Sequence, residues 1–246
     1  MHELRLPLAD GTDVAAAHHR ADPAGDGLPP VLLLPGARGD HSAPHLVALA
    51  ELLAAAGHHV VRAALSPLPP GSGFVGPAER SIGRMRDVLA AARELVGDPG
   101  GTAGERSGWI VGGASYGGRV ASLAVAEAGG RAIDAVGLLL VAYPLHPPGR
   151  PERLRVAHWP DVDVPVLMLS GDADPFLTAE LLAAHVGDLA GPLTLLTVRG
   201  GRHDLTVSAR SAPDGRRRTA VESVAEHAEA VRTWAAALPW QGPRDH

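Results

Sequence analysis

Short runs of consecutive apolar residues alternate along this chain with longer stretches of helical spacing, and that alternation leaves few folds open. Val31-Leu32-Leu33-Leu34 is followed by a segment, 44–56, with helical spacing at Leu46, Leu49, Leu52 and Leu53 and a closing Gly57. Residues 59–64 precede a helix over 79–97, and Trp109-Ile110-Val111 precedes a helix over 116–128. Further strands are expected at 135–141, 164–170 and 193–198, and further helices at 176–187 and 219–238. Continuous apolar runs of this length fit strands covered on both faces. Strands taking turns with helices call for a mostly parallel sheet flanked by helices. The expected class is therefore α/β, a doubly wound sheet in one domain spanning 1–246. Residues 1–20 add an N-terminal hairpin, with alternating Leu4, Leu6 and Leu8, a turn at Asp10-Gly11, and Pro7 as the mark of a sheet edge. Residues 142–163, with five prolines, form an excursion too short for a large helical lid.

Composition removes several function classes. The net charge is −5, so a basic footprint for nucleic acid is missing. The run Arg216-Arg217-Arg218 reads as a solvated helix entrance. There is no cysteine, which excludes disulfides, thiolate metal sites and a cysteine nucleophile. All 22 basic residues are arginine. Without lysine, Schiff-base chemistry and the lysine-bearing phosphate loop are excluded. No stretch approaches the apolar length of a membrane span, and the N-terminus lacks a signal-peptide pattern. The expectation is a cytoplasmic protein, and the absence of Lys and Asn beside abundant Ala, Gly and Arg suggests a GC-rich bacterial source.

The segment WIVGGASYGGRVASLAVA, 109–126, carries the chemistry. A strand ends at Gly112-Gly113, Ser115 follows at once, and a helix begins directly after it. This is the context that a G-x-S-x-G nucleophile turn requires. Such a turn puts Ser115 in an unfavourable backbone conformation, so Gly113 and Gly117 must lack side chains. In so glycine-rich a chain the bare pattern has about 0.15 expected chance matches, and its place between a strand and a helix is what gives it weight. The competing reading is a tight turn with a helix-capping serine.

A serine hydroxyl needs a base to take its proton, and the base needs a carboxylate to hold its tautomer. Two loops downstream of Ser115 supply both. Gly171-Asp172-Ala173-Asp174-Pro175 follows one strand, and Gly200-Gly201-Arg202-His203-Asp204 follows the next. Position selects His203 among the 13 histidines. The pairs His18/His19 and His58/His59 lie in strand-like segments, point to opposite faces and cannot jointly grip a metal. Asp172 and Asp174 compete as the acid. Asp172 can shape the turn, and Asp174 before Pro175 can cap a helix; Asp174 is favoured.

For the developing oxyanion, the backbone N–H of Tyr116 is one expected donor. The loop Gly36-Ala37-Arg38-Gly39 offers Ala37 as the other, against the plain alternative of a strand-to-helix connection. Tyr143, His146 and Trp159 are expected to line the substrate pocket, with a packed surface loop as the alternative. Gly71-Ser72-Gly73-Phe74-Val75-Gly76 matches G-x-G-x-x-G, but it follows prolines rather than a strand, so no dinucleotide cofactor is expected.

GGASYGGRVAS, VAYPLHPPGRPERLR, VPVLMLSGDADPF and GGRHDL together resemble the dienelactone-hydrolase-like branch of the α/β hydrolases, and more narrowly the bacterial KANL/Tex-type hydrolase-like proteins, over roughly residues 28–238. The resemblance implies an α/β-hydrolase fold and a triad of Ser115, Asp174 and His203. The expected function is hydrolysis of a small ester or thioester through an acyl-serine intermediate, with no metal, cofactor, nucleic acid or membrane partner. The alternatives are a non-catalytic scaffold on the same fold and an acyltransferase using the same triad.

Overall fold

A computed structural model describes residues 1–21, 28–69, 71, 76–97, 108–127 and 133–239. Eight strands form one sheet: β1 His2–Pro7, β2 Asp13–His19, β3 Val31–Leu34, β4 Val60–Ala63, β5 Trp109–Ala114, β6 Ala135–Val141, β7 Val166–Gly171 and β8 Leu193–Val198. Their spatial order is β1-β2-β4-β3-β5-β6-β7-β8. β1, β2 and β4 pair antiparallel, and every other pairing is parallel. The six helices among the described residues are α1 Pro44–Ala55, α2 Ile82–Val96, α3 Tyr116–Ala126, α4 Ala179–His185, α5 Ala220–Glu226 and α6 Ala228–Ala236.

The apolar runs sit where the pleat sends them to both faces. Leu32 and Leu34 pack with Met85 and Val88 of α2 and Val120 and Ala124 of α3. Val31 and Leu33 pack with Leu46 and Leu49 of α1, Val224 of α5 and Trp234 of α6. Each of β3, β5, β6 and β7 is buried along its whole length, the condition for a parallel sheet covered on both sides. β1 lies at the edge and ends at Pro7, whose missing N–H breaks no ladder there.

Three helices differ from the sequence reading, and the segment 79–97 is the mildest case: it opens as a 3-10 turn over Ala78–Ser81 and is α-helical from Ile82 to Val96. The segment 176–187 becomes helical only at Ala179, because the Thr178 hydroxyl takes the N-cap by accepting from the Leu181 N–H at 3.2 Å. Asp174 is occupied elsewhere. The terminal segment 219–238 is two helices, broken at His227, which leaves helical geometry at φ −105° and ψ 7°. A capping box between Thr219 and Glu222 starts α5. The arginine run beside it is paired with acids: Arg216 with Glu222 at 2.8 Å, and Arg218 with Asp214 and Glu226 at 2.6 Å each.

The chain passes from β3 to β4 on one side and then crosses back to β5 on the other, so the loops after β3 and β5 diverge from a switch point. In open α/β sheets the crevice for ligands lies there, at the C-terminal ends of the strands. The connection from β6 to β7 contains a single 3-10 turn, Trp159–Asp161, and no helical lid. Among the described residues no helix is long and apolar enough to cross a membrane.

Candidate active site

Ser115 follows the last residue of β5 and precedes the first residue of α3. Its φ is 48° and its ψ −107°, a backbone state that costs a non-glycine residue of order 1–3 kcal/mol and persists only when its surroundings fix it. The surroundings do so: the Ser115 N–H donates to the Val141 carbonyl at 2.8 Å, and its carbonyl accepts from the Arg119 N–H at 3.0 Å. The flanking glycines are required by close packing on β3. A Cβ on Gly113, at φ 148°, would meet the Leu34 carbonyl oxygen at 2.1 Å. A Cβ on Gly117 would lie 2.5 Å from the carbonyl oxygens of both Leu34 and Pro35.

The loops after β7 and β8 bring the other groups to this turn. His203 Nε2 lies 2.9 Å from Ser115 Oγ, and His203 Nδ1 lies 2.7 Å from Asp174 Oδ2. With its proton on Nδ1, the ring donates to the carboxylate and presents the Nε2 lone pair to the serine hydroxyl. Asp174 is 2 % exposed, and its other oxygen accepts from the Phe176 N–H at 2.8 Å. The competing carboxylate, Asp172, turns away and accepts from the Gly200 N–H at 2.6 Å. It joins the two loops, as does the Ala173 N–H donating to the Gly201 carbonyl at 2.9 Å. The Phe176 ring stands edge-on to His203 with centroids 4.7 Å apart. His45 lies near enough to feel His203 and Asp204, and burial holds its pKa below the ordinary histidine value.

A cleft of about 650 Å³ opens in front of Ser115 and His203, within the size range of small-molecule sites. Ala37 lines it, and a side chain at Gly36 would lie in ordinary contact with Ser115 Cβ at 3.8 Å. Among the described residues the Ala37 N–H has no acceptor in the protein. The Tyr116 N–H belongs to the first turn of α3, whose dipole favours negative charge at that end. The Tyr116 ring lines the cleft, and its hydroxyl is 2.8 Å from Ser81 Oγ.

Tyr143, His146 and Trp159 do not line the cleft, and this corrects the sequence reading. Tyr143 and Trp159 are fully buried and pack on each other in the core, with centroids 5.9 Å apart. His146 sits behind Phe176, edge to face at 6.0 Å. The excursion reaches the cleft instead through Pro144, Pro147, Pro148, Arg153, Leu154 and Arg155. Sequence reasoning also missed Arg119 and Phe176. Arg119 stands one helical turn after Ser115, a spacing that puts it on the same side of α3. Phe176 stands two residues after the acid. Arg119 pairs with Glu79 at 2.5 Å. Glu79 stays below the usual carboxylate range: burial works against this, and a backbone hydrogen bond and Arg119 outweigh it.

Among the described residues no group of three or more His, Cys, Asp or Glu side chains is arranged to hold a metal. Of the decoy glycine motif, residues 72–75 lie outside the described residues.

The profile of a family described as an alpha/beta hydrolase domain matches residues 29–236. Among solved structures, the chain is similar to Est1E from Butyrivibrio proteoclasticus (TM-score 0.70, 18% identity, 96% of this chain and 98% of that one). It is also similar to a putative dienelactone hydrolase from Klebsiella pneumoniae (0.67, 19%, 96% and 98%). A third is a serine hydrolase without lid from Xanthomonas campestris (0.63, 18%, 98% and 96%).

Proposed function

The chain belongs to the α/β-hydrolase family, and from that premise we propose that it is a serine hydrolase cleaving small esters or thioesters through an acyl-serine intermediate. The observation that carries this reading is the continuous relay Ser115–His203–Asp174, with contacts of 2.9 and 2.7 Å, at the mouth of a cleft. His203 removes the Ser115 proton as Oγ attacks the carbonyl carbon. The oxyanion is held by the Ala37 and Tyr116 N–H groups. His203, now protonated and paired with the buried Asp174, returns the proton to the departing alcohol or thiol. A water, deprotonated by the same ring, then attacks the acyl-serine and releases the acid. The open cleft without a helical lid supports small substrates over long lipids.

The test is a series of p-nitrophenyl esters, acetate to decanoate, with wild type and Ser115→Ala. The expected result is turnover of the short esters, and a loss of kcat of at least about 10³-fold in the variant. Activity that survives the substitution would overturn the nucleophile assignment. Added alcohol that diverts product from acid to ester would make the protein an acyltransferase on the same triad.

A further inference from the structure

Phe176 meets both the acid and the base of the relay. Its N–H donates to Asp174 Oδ1 at 2.8 Å, and its ring stands edge-on to His203, with centroids 4.7 Å apart and planes at 81°. The same ring forms part of the cleft wall. The backbone that carries it is tied at both ends, since its carbonyl accepts from the Leu145 N–H at 2.9 Å. Behind the ring packs the buried His146, edge to face at 6.0 Å, whose Nδ1 lies 2.9 Å from the Pro147 carbonyl. The Phe176 ring is thus a fixed surface against His203.

His203 is held differently. Its loop is closed by the Arg202 N–H on the Thr206 carbonyl at 3.0 Å and by the Leu205 N–H on the Arg202 carbonyl at 2.9 Å, which sets its backbone. Its side chain turns about two bonds and is 30% exposed. Two hydrogen bonds hold the ring in the resting relay, one to Asp174 and one to Ser115. Once Ser115 carries an acyl group, its Oγ has no proton to offer, and His203 keeps only the contact with Asp174. A partly exposed imidazole with one partner has other staggered positions open to it. The second half of the reaction nonetheless needs Nε2 aimed at water. Nε2 takes a proton from that water as the water oxygen bonds to the acyl carbon. The bond from that carbon to Oγ then breaks, and the proton passes from Nε2 to Oγ.

We propose that Phe176 is a positioning residue for this second half: its ring keeps His203 in place while Ser115 is acylated. The proposal rests on the hydrolase reading above and assigns a further residue to the same site. A ring pair at this distance and angle is worth a factor of about 2–12 in an equilibrium. Its loss falls more heavily on deacylation than on acylation, because during acylation the serine hydroxyl still helps to hold the base.

The experiment measures the two halves separately in one protein. p-Nitrophenyl dimethylcarbamate has a good leaving group and leaves a carbamoyl-serine that water clears slowly. The burst of p-nitrophenol counts the active chains and gives the rate of carbamoylation. Return of esterase activity after excess reagent is removed gives the rate of decarbamoylation. Rapid mixing with p-nitrophenyl acetate reads the same two steps for an ester. Phe176→Leu keeps bulk without the ring, Phe176→Tyr keeps the ring, and both leave the N–H to Asp174 in place. Phe176→Leu is expected to lower the ratio of the decarbamoylation rate to the carbamoylation rate about three- to tenfold, and Phe176→Tyr to recover most of it. Because the ratio is taken within counted active chains, loss of folded material does not imitate the effect. Both steps slowed by one factor, or carbamoylation slowed alone, overturns the role of Phe176 and leaves the hydrolase reading standing. The hydrolase reading fails separately, if neither reagent acylates Ser115 in the wild type.

Discussion

Asp172 and Asp174 stand two residues apart and carry the same carboxyl group, yet they do different work. Asp174 is buried against His203, whereas Asp172 accepts from the Gly200 backbone. Asp174→Asn is expected to lower kcat by about 10²–10⁴-fold, since the amide no longer favours the productive tautomer. Asp172→Asn is expected to cost about 1 kcal/mol of stability and leave the activity of the folded fraction within a few-fold of wild type. Steady-state kinetics beside thermal melts separate the two. Order along the chain narrowed the acid to this pair, and the helix-cap reading of Asp174 was a fair competitor. It failed because Thr178 caps α4 and frees Asp174 for His203. The pocket residues were harder to read. Aromatic side chains near a site serve equally well as core, and Tyr143 and Trp159 are core.

At the scale of elements, the turn between β5 and α3 is the demanding one. It was legible because its constraint is steric and local: a residue at φ 48° flanked by glycines that touch β3. Gly117→Ala forces a methyl against two backbone carbonyls that cannot swing aside as a side chain can. The expected cost is about 1–3 kcal/mol in urea unfolding, with reduced turnover because Ser115 shifts with the turn. Ala at Gly83, where a Cβ meets nothing within 4 Å, is the matched control and is expected to be neutral or slightly stabilising. Helix boundaries were less legible than strands. The break at His227 follows from no glycine or proline. His227 leaves the helix while its Nδ1 lies 2.8 Å from the Ser223 carbonyl, a contact that spacing does not reveal.

At the scale of the whole molecule, the alternation of strands and helices was readable, but the neighbours of each strand were not. The placement of β2 beside β4 brings together histidines that sequence spacing keeps apart. His18 Nε2 lies 3.1 Å from His59 Nδ1, and His19 accepts from the buried Arg62 at 3.0 Å. Burial holds His18, His19 and His158 at pKa values of about 4, with His59 adding to the effect on His18 and arginines on the other two. In the unfolded chain these rings take protons near pH 6.5. The folded-state values are lowered, so their contribution to stability is complete above about pH 6.5 and declines as the pH falls towards 4. A loss on the order of 3 kcal/mol between pH 7 and pH 5 is expected in urea titrations. A His18→Gln variant is expected to show a shallower decline over the same range. An unchanged slope would remove His18 from the account.

The claim on which the rest depends is that Ser115 is a nucleophile primed by His203. Its most direct measurement is mass spectrometry of the intact and digested protein after treatment with a fluorophosphonate. The account predicts one adduct per chain on the peptide carrying Ser115, no such adduct in Ser115→Ala, and labelling slowed by at least about 10²-fold in His203→Ala. An unlabelled wild-type protein, or an adduct on another residue, would contradict it.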